Sequence, residues 1–223
     1  MRVNPLRGWV TDVSAQSHNA PMGQLVTNVR ELVGDDRVII GLTGPPAAGK
    51  STLARALVAA LPAAAYLPMD GFHLANAQLD AQGLRGRKGA PDTFDRAGYR
   101  ALLRRVRAED GDIYAPDYDR ALHEPIAGAL LIPASARIVV TEGNYLAHPG
   151  WTDVRALLTE LWYLDVPSAV REARLHARHV SHGKEHEEAW RWIAATDRPN
   201  ALVVEASRAE CDRVISAAHT VIG

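Results

Sequence analysis

The chain has a single cysteine, Cys211, which excludes a disulfide framework and a cysteine-based zinc site. It also has no apolar run long enough to cross a membrane. The longest apolar stretch, Ala56 to Met69, is short and carries Pro62 and Pro68. Excess charge is missing as well. With 25 basic and 26 acidic residues among 223, the net charge is −1, which argues against a bulk nucleic-acid binder. Lysine is scarce, with Lys50, Lys88 and Lys184 set against 22 arginines, and Phe72 and Phe94 are the only phenylalanines. Met1, Arg2, Asn4 and Pro5 do not begin the apolar core of a signal peptide, so a cytoplasmic protein is expected. The apolar fraction of 47% excludes disorder as the main state, and the length suits one α/β domain.

No internal repeat is present. Residues 1–22 read as an irregular lead-in, and residues 23–223 as one domain. Leu25, Val26, Val29, Leu32 and Val33 recur at helical spacing, stopped by Gly34. Arg37 to Thr43 is a continuous apolar run, as in a strand buried on both faces of a parallel sheet. Gly44 to Gly49 is a loop, Lys50 to Leu61 a helix ended by Pro62, and Tyr66 to Met69 a strand ending at Asp70. Residues 71–92 suggest a long loop. Asp92 or Thr93 is expected to cap a helix running to about Glu109. Residues 112–134 suggest short extended pieces around turns, and Arg137 to Thr141 another buried strand. Helix is expected over Trp151 to Thr159, strand over Leu161 to Val166, and helix over Ser168 to Val180. Gly183 breaks the pattern before a helix over Glu185 to Ala195. Ala201 to Glu205 fits strand or helix, and Val214-Ile215 and Val221-Ile222 are short strand candidates. The alternation predicts a doubly wound, mostly parallel sheet flanked by helices.

The sharpest motif is Gly44-Pro45-Pro46-Ala47-Ala48-Gly49-Lys50-Ser51, a complete G-x-x-x-x-G-K-S between a buried strand and a helix. That context makes it a phosphate-binding P-loop, with Thr52 continuing the helix start. Backbone N–H groups and the helix N-terminus face the β-phosphate, Lys50 reaches the β- and γ-phosphates, and the Ser51 hydroxyl joins a Mg²⁺ shell. Ala47 stands where many such loops have glycine, which predicts a stiffer loop. No lysine follows an asparagine, so the guanine-reading Asn-Lys-x-Asp signature is absent. The short domain points to a small-molecule kinase using ATP and Mg²⁺.

Further segments carry a resemblance. Met69-Asp70-Gly71-Phe72-His73, Lys88-Gly89-Ala90-Pro91-Asp92-Thr93-Phe94-Asp95, Tyr114 to Arg120 and Glu142-Gly143-Asn144-Tyr145-Leu146 are similar to segments of the phosphoribulokinase, uridine kinase and bacterial pantothenate kinase family, nearest its fructose-transport-associated branch. The resemblance covers about residues 37–216 and implies a P-loop kinase fold with a helical lid at about 171–195. It implies transfer of the ATP γ-phosphoryl group to a hydroxyl of a small acceptor. Fructose-like sugars, nucleosides, pantothenate-like acids and sugar phosphates all remain open as that acceptor.

Asp70, at the carboxyl end of its strand, suits the base that accepts the hydroxyl proton. Glu142 follows a strand of Walker-B character and suits metal or acceptor. Phe72, His73 and Asn144 are further acceptor candidates, with one phenylalanine flooring the pocket, and Tyr114, Tyr118, Arg120 and His123 resemble the family segment that contacts the acceptor, His123 alone being weak evidence. Arg85, Arg87 and Lys88 form either a solvated loop or a clamp, with Arg85 and Lys88 facing the acceptor in the second case. Arg171, Arg174 and Arg178 share a helical face. They are either a solvated face paired with Glu172 or lid arginines, of which Arg174 and Arg178 would act on the transferred phosphoryl group. His176, His179, His182 and His186 span a helix break, a poor metal geometry. Asp197-Arg198-Pro199-Asn200 resembles a family segment at the adenine end, which makes Asn200 a nucleotide contact and Leu202 to Ala206 helix. The expected partner is a small molecule, with no nucleic acid or membrane; a homodimer is left open. Two other classes are compatible with a P-loop: an NTPase driving a protein partner, and a non-catalytic nucleotide sensor.

Overall fold

The computed structural model describes residues 22–108 and 111–216. The lead-in therefore lies outside the described residues except for Met22, as do Glu109 and Val221-Ile222. Helix α1 is Met22–Glu31, followed by β1 at Val38–Thr43, α2 at Lys50–Ala60 and β2 at Ala64–Pro68. The expected loop over 71–92 instead contains α3, Asn76–Ala81, between short 3₁₀ turns. Helix α4 is Arg96–Arg107, and neither Asp92 nor Thr93 caps it. Asp95 does so, its side chain accepting from the backbone N–H of Gly98 at the third helical position, one of the first-turn donors that have no partner within the helix. Thr93 is buried within its own turn.

Strands β3, Ile113–Asp119, and β4, Glu124–Ile132, form a separate antiparallel hairpin. Strand β5 is Ile138–Glu142; α5, Thr152–Arg155, is shorter than expected; β6 is Glu160–Asp165 and α6 Ser168–Ser181. Helix α7, His186–Trp192, runs through a π-turn at Ile193–Asp197 into α8, Arg198–Glu205, which settles Ala201 to Glu205 as helix. Pro199 has no N–H to donate and crowds the preceding turn, and the widened π-turn accommodates it. Strand β7 is Arg213–Ser216.

The main sheet is parallel throughout, in the order β2-β5-β1-β6-β7. Alternate residues of β1 serve opposite layers. Ile39 packs with Leu67, Tyr99, Val139 and Tyr163 on one face, and Ile40 with Val29, Leu57, Val140 and Trp162 on the other. That is why the strand reads as unbroken apolar sequence. Parallel pairing also brings the carboxyl ends of β1, β2, β5 and β6 to one edge. The P-loop, Asp70, Glu142 and the start of α6 meet there. Among the described residues no helix is long and apolar enough to cross a membrane.

Candidate active site

A cavity of about 1110 Å³ opens at that edge. It is lined by Pro46 to Thr52, Asp70, His73, Arg85, Lys88, Tyr118, Arg120, Glu142, Asn144, Arg174, Arg178 and Asn200, all expected from the sequence. It is large enough for a nucleotide and a small acceptor together.

On the phosphate side, Gly49 starts α2 at φ +93°, a conformation glycine adopts without strain. Ala47, at φ +61°, adopts a similar left-handed backbone at a steric cost of about 1–2 kcal/mol. Lys50 is buried, and its Nζ donates to the carbonyls of Gly44 at 2.8 Å and Pro45 at 3.0 Å. Those two residues present carbonyls to the lysine and do not line the cavity. Burial lowers the Lys50 pKa to about 8, against the opposing pull of Glu142 and Asp70. Glu142, at the end of β5, is 4% exposed, and its Oε1 accepts from Ser51 Oγ at 2.9 Å and Tyr66 OH at 2.8 Å. Desolvation, followed by the Asp70 charge, raises its pKa. The Glu142 carboxylate and the Ser51 hydroxyl joined to it are oxygen donors of the kind that suit a divalent cation.

On the acceptor side, Asp70 sits in the 3₁₀ turn Met69–Phe72 that ends β2, and Arg120 reaches its carboxylate at 3.3 Å. A Cβ on Gly71 would strike the Pro116 carbonyl, so glycine is required where the hairpin docks beside Asp70. His73 Nδ1 donates to the Asp70 carbonyl at 2.7 Å. Its ring makes tilted contacts with Phe94, 4.1 Å away, and Tyr118, 4.7 Å away, and burial lowers its pKa. Phe94, not Phe72, borders the cavity; Phe72 packs on Tyr99 in the core, because the 3₁₀ turn rotates it away from Asp70. Lys88 is tied down: its Nζ donates to Asn76 Oδ1 and to the His123 carbonyl, both at 2.6 Å. Arg85 is paired with Asp80 at 3.3 Å, and the Arg87–Asp92 pair lies in the exposed part of the loop.

Helix α6 divides its three arginines. Arg174 donates to the Ala47 carbonyl at 3.2 Å, and Arg178 lines the cavity, with burial and the facing Arg120 lowering its pKa. Arg171 does not share their surroundings. It is buried, donates to the Val166 carbonyl and pairs with Glu205 at 2.6 Å. Glu172 pairs with Arg198, at 2.7 Å, rather than with the stripe. The four histidines separate: His176 stacks on Trp190, with His186 beside it, His179 bonds Asp197 and His182 bonds the Arg178 carbonyl. Among the described residues no group of three or more His, Cys, Asp or Glu side chains could hold a metal ion. Asn76, His123, Lys184, Trp192, Thr196 and Asp197 also line the cavity. Asp197 and His123 stood in segments that carry the family resemblance; Asn76, Lys184, Trp192 and Thr196 carried no local signal.

No family model matches the chain. YggC of Escherichia coli, a protein named as uncharacterised, is 35% identical over 188 residues, covering 81% of this chain and 78% of YggC. A Schizosaccharomyces pombe protein named as a proposed uridine kinase is 34% identical over 202 residues, covering 84% of this chain and 86% of its own length. Among solved structures, a proposed fructose transport system kinase from Silicibacter sp. TM1040 superposes with a TM-score of 0.82 at 37% identity, covering 88% of this chain and 98% of that one. A P-loop at the edge of this parallel sheet, with Asp70 and Glu142 at the ends of the flanking strands, belongs with these relatives. The chain is a member of the phosphoribulokinase, uridine kinase and bacterial pantothenate kinase family of P-loop small-molecule kinases.

Proposed function

We propose that this kinase transfers the γ-phosphoryl group of ATP to a hydroxyl of a sugar, nucleoside or pantothenate-like metabolite, with Asp70 accepting the hydroxyl proton. One observation carries the reading: the P-loop and Asp70 line a single cavity, with Arg174 and Arg178 between them on α6. Lys50 and the loop N–H groups hold the phosphates, and Arg174 and Arg178 balance charge on the moving phosphoryl group. Ser51 and Glu142 would hold Mg²⁺, which would supply positive charge to neutralise the charge that develops on the transferred phosphoryl group. Asp70 accepts one long contact from Arg120, which leaves lone pairs for an incoming O–H. His73, Tyr118 and Phe94 wall the acceptor end, with Asn144 nearby and Asn200 on the nucleotide. Arg85 and Lys88 border the acceptor entrance, where Lys88 fastens the loop to the hairpin. An acceptor panel read by ADP release at fixed ATP and Mg²⁺ tests the proposal. One compound should raise release well above the acceptor-free rate. Release that no acceptor raises, but a protein partner does, would move the chain to a coupled NTPase.

A further inference from the structure

Tyr66 is a side chain at the phosphate corner to which none of these roles gives work. It pairs in register with Val140, two residues before Glu142, so Tyr66 and Glu142 rise from the same face of adjoining strands. Its hydroxyl donates to Glu142 Oε1, the oxygen that also accepts from Ser51. The two donors come from different elements, α2 and β2, and together saturate that oxygen. Among the described residues Oε2 makes no hydrogen bond, and Glu142 lines the cavity. Ser51 alone would leave the carboxylate free to turn about its last torsion, which for glutamate is broad and roughly two-fold. A second donor from a rigid strand removes that freedom.

The ring itself is held in place. The Arg55 guanidinium of α2 lies 4.3 Å from the ring centroid, and the same arginine approaches the Asp117 carboxylate of the hairpin at 4.0 Å. Packing does not call for the hydroxyl, since phenylalanine has nearly the same shape. Its use is the bond to Glu142.

We propose that Tyr66 is a positioning residue that fixes the Glu142 carboxylate so that one oxygen is committed to Ser51 and Tyr66 and the other is presented to the cation of the bound nucleotide. The inference rests on the role given to Glu142 and Ser51 above. Groups that orient a metal-holding side chain typically affect metal affinity by 10–100-fold, and a half-buried tyrosine belongs at the lower end.

The test is calorimetric titration of ATPγS, once with excess Mg²⁺ and once with EDTA, which needs no acceptor. The ratio of the two affinities is the metal-dependent gain. In Tyr66→Phe the EDTA affinity should stay within about twofold and the gain should fall about tenfold, with the thermal midpoint shifted by no more than a few degrees. Glu142→Gln should lose at least as much of the gain, and the double variant should lose no more than Glu142→Gln alone, because Tyr66 acts through Glu142. A full gain in Tyr66→Phe beside a reduced one in Glu142→Gln would overturn the role of Tyr66 and leave that of Glu142 standing. An equal loss with Mg²⁺ and with EDTA would show a merely structural tyrosine. A full gain in Glu142→Gln would overturn the assignment of Glu142, and this inference with it.

Discussion

At Asp70 the geometry separates two roles that a carboxylate near a nucleotide can have. The side chain is held by Arg120 from the hairpin, whereas Glu142 is the carboxylate joined to Ser51. Asp70→Asn is therefore expected to reduce transfer by about 10²–10⁴-fold, the usual worth of a general base, with Mg·ATP affinity kept within a few-fold. Steady-state kinetics paired with calorimetry checks both halves; loss of nucleotide binding would reassign Asp70 to the metal. Phe72 shows the limit of reading one residue at a time. Two phenylalanines twenty-two positions apart flank the acceptor segment, and only the turn of the backbone decides that Phe94 faces the cavity while Phe72 enters the core.

At the scale of elements, α6 buries one arginine, Arg171, against Glu205 and presents two, Arg174 and Arg178, to the cavity. Arg171→Ala removes a buried cation and its bonds to Val166 and Glu205, so a stability loss of about 1–3 kcal/mol is expected in thermal melts. Arg174→Ala and Arg178→Ala should leave the melting temperature nearly unchanged and lower kcat more than they raise the ATP KM, because their contacts strengthen as charge develops. Unaltered kcat in both would remove them from the mechanism. The hairpin gives a second element-scale test. Gly71→Ala drives a methyl group into the Pro116 carbonyl, so the β3–β4 hairpin must shift away from Asp70. The expected result is a rise in acceptor KM together with a lower melting temperature; a variant with wild-type values for both would show that this close approach is not needed.

For the whole molecule, the burial of Lys50 makes folding and nucleotide binding depend on pH in opposite senses. Its folded pKa is about 8, below the ordinary 10.5, so the unfolded chain holds this proton more tightly. Below about pH 8 the group is charged in both states and its desolvation counts fully against folding. That cost is relieved as pH rises from about 8 to 10.5, so this group's contribution to stability increases over that window. Polyphosphate favours the ammonium form, so ATP affinity in EDTA should fall above about pH 8, and binding near that pH should take up protons. Calorimetry in two buffers of different ionisation enthalpy measures the uptake. Lys50→Arg, charged throughout, should abolish it.

The sequence by itself determined the strands that are buried on both faces, the P-loop between β1 and α2, and the chemistry its residues can perform. Those are local properties: an apolar run and the G-x-x-x-x-G-K-S spacing mean the same thing wherever the chain goes next. Asp70 and Glu142 were legible for the same reason, since each ends a strand of recognisable pattern. The tertiary structure alone decided what depends on residues far apart in the chain. The 71–92 segment folds into α3 and turns because Asn76 and Lys88 find Glu124 and His123 on the hairpin, partners that no local pattern announces. Arg171 left the lid stripe because α8 brings Glu205 to it, and Tyr66 came to Glu142 because β2 lies beside β5. A helical face or a strand periodicity fixes the direction of a side chain relative to its own element. What that side chain meets is set by parallel pairing and packing, which join residues such as Tyr66 and Glu142, or Asp70 and Arg120, at long separations in sequence.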